Sequence, residues 1–137
     1  MSRIYEDSVA QYLHMKHGYS TKTRYKPQYL DGKEIDVFAE KLTPRTFTVC
    51  ECKLRLNDKP IIDVEITSFA NKKDLIIKNE KRNLDDRFHF WFITNTKKIP
   101  EEIKELAKRN KIDLKLGELP SNWKTRADWS INVKSSF

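Results

Sequence analysis

The sequence predicts an α/β domain in the order αβββαβαβ, a central mixed sheet flanked by helices. Three observations carry this. Apolar residues recur at helical spacing in separate stretches, near residues 2–17, 57–80 and 100–109. Between them lie short runs rich in β-branched and aromatic residues, of which 46–54 (TFTVCECKL) and 88–94 (FHFWFIT) are the strongest. Three such runs precede the second helix and one follows each later helix. An antiparallel meander therefore leads into strand–helix–strand units, which connect parallel strands.

The first helix starts at Ser2, a good N-cap residue, and runs to about His17. Tyr5, Val9, Tyr12 and Leu13 share its apolar face, and Gly18 ends it as a C-terminal glycine. Residues 19–25 (YSTKTRY) read as an edge-like strand. Asp31-Gly32 is a turn signal, 33–39 (KEIDVFA) a second strand, and Pro44 marks the next turn. The strand 46–54 follows. Asn57-Asp58 and Pro60 open a long helix reaching about residue 80, with Ile62, Ile66, Phe69, Ala70, Lys73, Ile76 and Ile77 on its inner face. The near-continuous apolar run 88–94 suits a strand buried on both faces. Pro100 at a first helical position, then Glu101 and Glu102, starts the last helix; Lys108 and Arg109 close it in agreement with the helix dipole. Residues 112–116 (IDLKL) form the final strand.

The chain's 137 residues suit one domain, spanning 1–137, with a core of about 3–118 and a docking tail at 119–137. The tail carries Trp123, Trp129 and Phe137 among Lys124, Arg126 and Lys134, and reads as a short docking helix or arm. A 38% apolar and 34% charged composition describes a charge-coated globular domain, not a disordered or fibrous one. The net charge of +7 suits a polyanionic partner without specifying one. Cys50 and Cys52 lack the further cysteines a zinc site needs, and their spacing suits reduced core thiols better than a disulfide. With no apolar stretch long enough for a membrane span and no secretory segment at MSRIYEDSVA, the expected location is the cytoplasm.

The chemistry concentrates on two strands. Along 46–54, Phe47, Val49, Glu51 and Lys53 share one side, while Thr48, Cys50, Cys52 and Leu54 share the other. An acid and a base thus stand side by side at the end of a central strand. Taken alone, that spacing is more often a structural ion pair. The preceding strand adds Asp36, a strand-averse residue among apolar neighbours. If the two strands pair through the turn at 42–45, Asp36 approaches Glu51. Two such carboxylates repel unless a cation lies between them, and hard oxygen donors of this kind suit Mg²⁺. Glu6 lies roughly 60° around the first helix from Val9, at the border of the apolar face. Taken alone it reads as a solvated first-turn glutamate.

Together these residues resemble the PD-(D/E)XK nuclease superfamily. The resemblance rests on Glu6, on Gly32-Lys33-Glu34-Ile35-Asp36-Val37, and on Glu51-Cys52-Lys53. The likeness is nearer to its Mrr-type restriction-endonuclease branch, with archaeal Holliday-junction resolvases as a second resemblance. Phe92-Ile93-Thr94-Asn95, Ile103, Leu106-Ala107, Asn110 and Ile112-Asp113-Leu114 are similar to the Mrr-type closing strand–helix–strand, so the likeness covers roughly residues 3–118. Ile35 stands where the motif's proline would be. Glu65 is the nearest candidate for the glutamine that the Mrr-type branch often carries on the next helix. The serine-glycine element of the resolvases is absent.

The resemblance implies a restriction-endonuclease-like fold and a metal-dependent DNA endonuclease. Asp36, Glu51 and the backbone carbonyl of Cys52 would ligate Mg²⁺, with Mn²⁺ able to substitute. Lys53 would orient water or stabilise charge on the phosphorane oxygens, and Glu6 would act as an outer ligand. DNA contacts are expected from Lys22, Arg24, Lys26, Arg55 and Lys59; Lys72 and Lys73 read rather as a solvated helix face. Trp91 is expected in the core. His14, His17 and His89 form no ligand motif, and His89 fits a core histidine. The same fold could serve a resolvase or repair nuclease acting as a homodimer. From another class, a non-catalytic nucleic-acid-binding domain has no use for carboxylates in a phosphate-facing cleft. A protein-interaction domain using the tail aromatics is a third possibility.

Overall fold

The computed structural model describes residues 2–42, 44–55, 59–116 and 134–135. In chain order these form α1 (Ser2–His17), β1 (Ser20–Tyr25), a short 3₁₀ turn (Gln28–Leu30), β2 (Ile35–Lys41), β3 (Thr46–Lys53), α2 (Asp63–Glu80), β4 (Arg87–Thr94), α3 (Glu101–Arg109), β5 (Asp113–Leu116) and β6 (Lys134–Ser135). The strands lie in sequence order across one sheet. β1, β2 and β3 run antiparallel, β3, β4 and β5 parallel, and β6 antiparallel beside β5. This is the expected mixed sheet with its αβββαβαβ order, extended by one short strand. The other tail residues, including Trp123, Trp129 and Phe137, lie outside the described residues.

The period-2 pattern places side chains on two helical layers. Tyr5, Val9, Ala10 and Leu13 of α1 pack with Val37, Ala39, Cys50 and Cys52. On the other face, Ile66, Phe69, Ala70 and Ile76 of α2 and Ile103 and Ala107 of α3 pack with Phe47, Val49, Phe90 and Phe92. β3 is therefore covered on both sides, as its alternation of two apolar sets requires. Phe92 is fully buried beneath Phe69. We expect Phe92→Ala to cost about 3–5 kcal/mol, read as a lower urea midpoint with an unchanged slope. Gly18 adopts φ +74° and donates its N–H to the His14 carbonyl at 3.1 Å, the left-handed helix stop.

Several expectations need correction. α2 begins at Asp63, later than the turn signals at 57–60, because the Glu65 carboxylate accepts the Ile62 N–H and sets the cap there. Consequently Ile61 is buried and Ile62 is half exposed, reversing the expected inner face at that end. Pro100 is the N-cap of α3 and not its first turn residue. β4 is fully buried only toward its C-terminal end; Arg87 and His89 are exposed, so His89 is not a core histidine. Trp91 is half-buried against the α1-side core, with the Lys115 ammonium 4.7 Å from its ring centroid. Among the described residues no helix is long and apolar enough to cross a membrane.

Candidate active site

The site forms where two neighbouring strands part. β2 and β3 pair from Lys41↔Thr46 down to Val37↔Cys50, and the ladder stops there. On either side the sheet continues, with β1 pairing to Tyr25↔Ile35 and β4 to Lys53↔Thr94. The alternation of β2 also breaks at this point, since Ile35 joins the α2-side core while Val37 joins the α1-side core. Asp36 is left at the gap. Its Oδ2 accepts the Cys52 N–H at 2.8 Å, a side chain standing in for the missing ladder partner.

Around Asp36 the fold collects three further carboxylates. Glu6 arrives from α1, and Glu34 precedes β2. A carboxylate oxygen from each of Glu6, Glu34 and Asp36 lies within 4.8 Å of the others. Glu51, on β3, is near enough for its charge to act on Asp36. Glu6, Asp36 and Glu51 are all buried, and Glu34 is half-buried. Asp36 and Glu51 come together as the sequence suggested, and Glu6 is drawn inward from the border of its helix face. Glu34 was not singled out. Its signal was modest, a second acid two residues before Asp36 at the mouth of the strand.

Cations balance this cluster unevenly. Lys53 Nζ lies 3.6 Å from Glu51 Oε2, and Lys72 Nζ lies 3.4 Å from Glu51 Oε1. Lys72 also donates to the Glu34 carbonyl at 2.9 Å. The expectation that Lys72 belongs to a solvated face is thus corrected: its side chain is 16% exposed and reaches inward from α2 across Glu51. Arg24 Nη1 binds Glu6 Oε1 at 3.0 Å while Nη2 binds Asp7 Oδ1 at 3.1 Å. Asp36, by contrast, has no ion-pair partner among the described residues. Burial first, then the Glu51 carboxylate, pushes its pKa up to about 7. Burial also raises Glu6, against the pull of Arg24.

Arg24 occupies the left-handed region at φ 50° without being glycine, and it falls between the paired Thr23 and Tyr25. That local twist aims its guanidinium at α1. We expect Arg24→Ala to destabilise the protein by about 1–3 kcal/mol at neutral pH, because the buried Glu6 carboxylate loses its counter-charge. Urea unfolding at pH 7 checks this.

The other basic candidates divide. Lys26 and Lys59 are exposed, and the Lys22 ammonium lies 4.6 Å over the Tyr25 ring. Arg55 instead pairs with Glu65, and its backbone is clasped by the Asn95 amide, which accepts the Arg55 N–H at 2.6 Å and donates to its carbonyl at 2.9 Å. Glu65 is thereby committed to Arg55 and to the α2 cap. Cys50 and Cys52 are free, buried thiols whose pKa values burial pushes up. His14 Nδ1 bonds the Tyr19 carbonyl oxygen and His17 Nε2 the Tyr12 hydroxyl, both away from the acids.

The donor set fits a hard divalent cation. Among the described residues, Asp36 offers a buried carboxylate with three acidic neighbours and no ion-pair partner, and the cluster includes no sulfur or imidazole donor.

Solved structures share this architecture. AF1548, a protein of unknown function, superposes with a TM-score of 0.65 at 28% identity, over 82% of this chain and 56% of that one. A repair endonuclease from Pyrococcus abyssi superposes with a TM-score of 0.59 at 16% identity, over 84% of this chain and 47% of that one. This chain spans about half the length of each. No family model matches it, and no curated protein matches it in sequence. The fold is the restriction-endonuclease-like fold.

Proposed function

We propose that the chain is a metal-dependent DNA endonuclease that hydrolyses phosphodiester bonds at the parting of β2 and β3. The observation that carries this is the gathering of Glu6, Glu34 and Asp36 within 4.8 Å at one gap with Glu51 close enough to act on Asp36, two lysines on Glu51 and, among the described residues, none paired to Asp36. A pure binding surface for a polyanion gains nothing from four acids held there.

Asp36, Glu51 and the Cys52 carbonyl would hold Mg²⁺ or Mn²⁺, with Glu6 and Glu34 as further oxygen donors. When bound, such an ion polarises a phosphodiester and lowers the pKa of an attacking water. The chain's own groups supply the rest. Lys53, on the same strand face as Glu51 and 38% exposed, is placed to neutralise charge growing on the non-bridging oxygens. Lys72 keeps Glu51 oriented and ties α2 to the chain at Glu34. Arg24 keeps Glu6 oriented and offsets part of the burial that favours its neutral form. Lys22, Lys26 and Lys59 offer phosphate contacts that position the strand without reading its sequence.

The test is cleavage of linear duplex, single-stranded, flapped and four-way-junction DNA with Mg²⁺, Mn²⁺ or EDTA. Metal-dependent cutting is expected. Preference for the four-way junction together with a dimeric mass would assign the resolvase role. Salt-sensitive binding with no cutting under any condition would leave a binding domain on a nuclease fold.

A further inference from the structure

A groove of about 500 Å³ runs beside the catalytic gap, between the 28–33 turn and α2. It adjoins that gap, because Glu34 and Lys72 line the groove and Lys72 reaches from it to Glu51. Its volume falls in the roughly 300–1,000 Å³ range of pockets that take small organic ligands. Neither the cavity lined by α3 and β5 nor the one along α1 and Thr21 includes Glu34 or Lys72.

The groove's turn-side wall is built firmly. Tyr29 donates its hydroxyl to Glu80 Oε2 at 2.7 Å, pinning the turn to the far end of α2. Within the turn, Leu30, Asp31 and Lys33 donate their N–H groups to Pro27, Gln28 and Leu30 carbonyls at 3.1 Å each. Asp31 and Gly32 take positive φ, which turns the chain toward β2. The opposite wall is one face of α2, where Ser68, Asn71 and Leu75 follow at helical spacing with Lys72 beside them.

Its lining is amphipathic and in part uncommitted. Leu75 is 41% exposed. The side chains of Ser68, Asn71 and Lys33 make no hydrogen bond or ion pair among the described residues. An apolar floor, an amide with paired donor and acceptor, and a lysine at the rim match the face, edge and phosphate of a nucleotide.

We propose that this groove binds one nucleotide unit of the DNA strand, the unit next to the phosphate being cut. This rests on the nuclease reading for its place in the reaction. The base packs over Leu75 with its edge on the Asn71 amide, and its outer phosphate meets Lys33. Lys72 sits at the joint between the nucleotide and the catalytic acids. The groove makes the identity of one base beside the cut a determinant of cleavage.

The experiment is an amide NMR titration of the full chain in EDTA with each of the four deoxynucleoside 3′,5′-bisphosphates, and with inorganic phosphate as control. Saturable shifts are expected at Lys33, Ser68, Asn71 and Leu75, stronger for one base than the others. Asn71→Ala and Lys33→Ala, both surface changes, should each weaken binding by about fivefold or more. Shifts that miss the groove, that inorganic phosphate reproduces, or that both variants leave unchanged overturn the proposal. Because no cleavage is needed, failure of the nuclease reading shows separately, as wild-type protein that binds nucleotide in the groove yet cuts no DNA.

Discussion

We expect Asp36→Asn to make the metal-free protein more stable at pH 8 and, on the proposed nuclease reading, to abolish DNA cleavage. The carboxylate sits buried at the parted strands, with Glu51 nearby and no cation of its own, and its pKa is raised to about 7. Between about pH 4 and pH 7 the unfolded chain has released this proton while the folded chain still holds it. Stability from this group therefore falls as pH rises through that window, and the deficit is complete above it. Asparagine keeps an oxygen for the Cys52 N–H and removes the charge. The expected gain is about 2 kcal/mol or more at pH 8 in EDTA, shrinking toward pH 4. Added Mg²⁺ should raise the melting temperature of wild type and leave the variant nearly unchanged. Thermal melts across pH, with EDTA and with Mg²⁺, read all of this. A variant less stable than wild type at pH 8 contradicts the picture of an uncompensated acid.

Lys72→Met has the opposite signature. Its ammonium rests on a backbone carbonyl and a carboxylate, the kinds of oxygen a hard cation takes. Removing it takes the donor from the Glu34 carbonyl and one of two cations from Glu51, while methionine retains most of the apolar stem. The metal-free protein should lose about 1–3 kcal/mol. Affinity for Mn²⁺ without DNA should rise several-fold, because a tethered competitor is gone. Cleavage at saturating metal should fall by about tenfold or more, since Glu51 loses its positioning partner. Calorimetric titration of Mn²⁺ decides the point: an unchanged or weaker affinity contradicts competition at Glu51. A lysine on a solvated face would change stability by no more than about 0.5 kcal/mol.

The strands and helices were legible because their periodicities are clean. The Thr46–Lys53 alternation set Glu51 and Lys53 on one face and the cysteines on the other, and both cores follow it. Asp36 was visible as a charge where strands avoid one. What the sequence hid depends on tertiary placement. Lys72 reads as solvated because helical spacing gives a direction, and only the packing of α2 shows that its long stem crosses to Glu51. Arg24 carries no glycine or asparagine signal for its positive φ, so its turn toward Glu6 could not be read from the chain. Glu34 fell inside the strand expected at 33–39, but β2 begins only at Ile35 and its alternation breaks there, so a strand pattern could not place Glu34 in the site. His89 and Arg87 look like part of a buried run because hydrophobicity does not say where covering helices end.

On the proposed reading Asp36, Glu51 and Lys53 form one metal-dependent hydrolytic centre. The most direct test is the initial rate of plasmid cleavage by wild type, Asp36→Asn, Glu51→Gln and Lys53→Ala, in Mg²⁺ and in EDTA, each variant first shown folded by its melting curve. Wild type is expected to cut in Mg²⁺ alone, and each variant to lose about 10³-fold or more in rate. Cutting that persists in EDTA, or in folded variants at near wild-type rates, would contradict it.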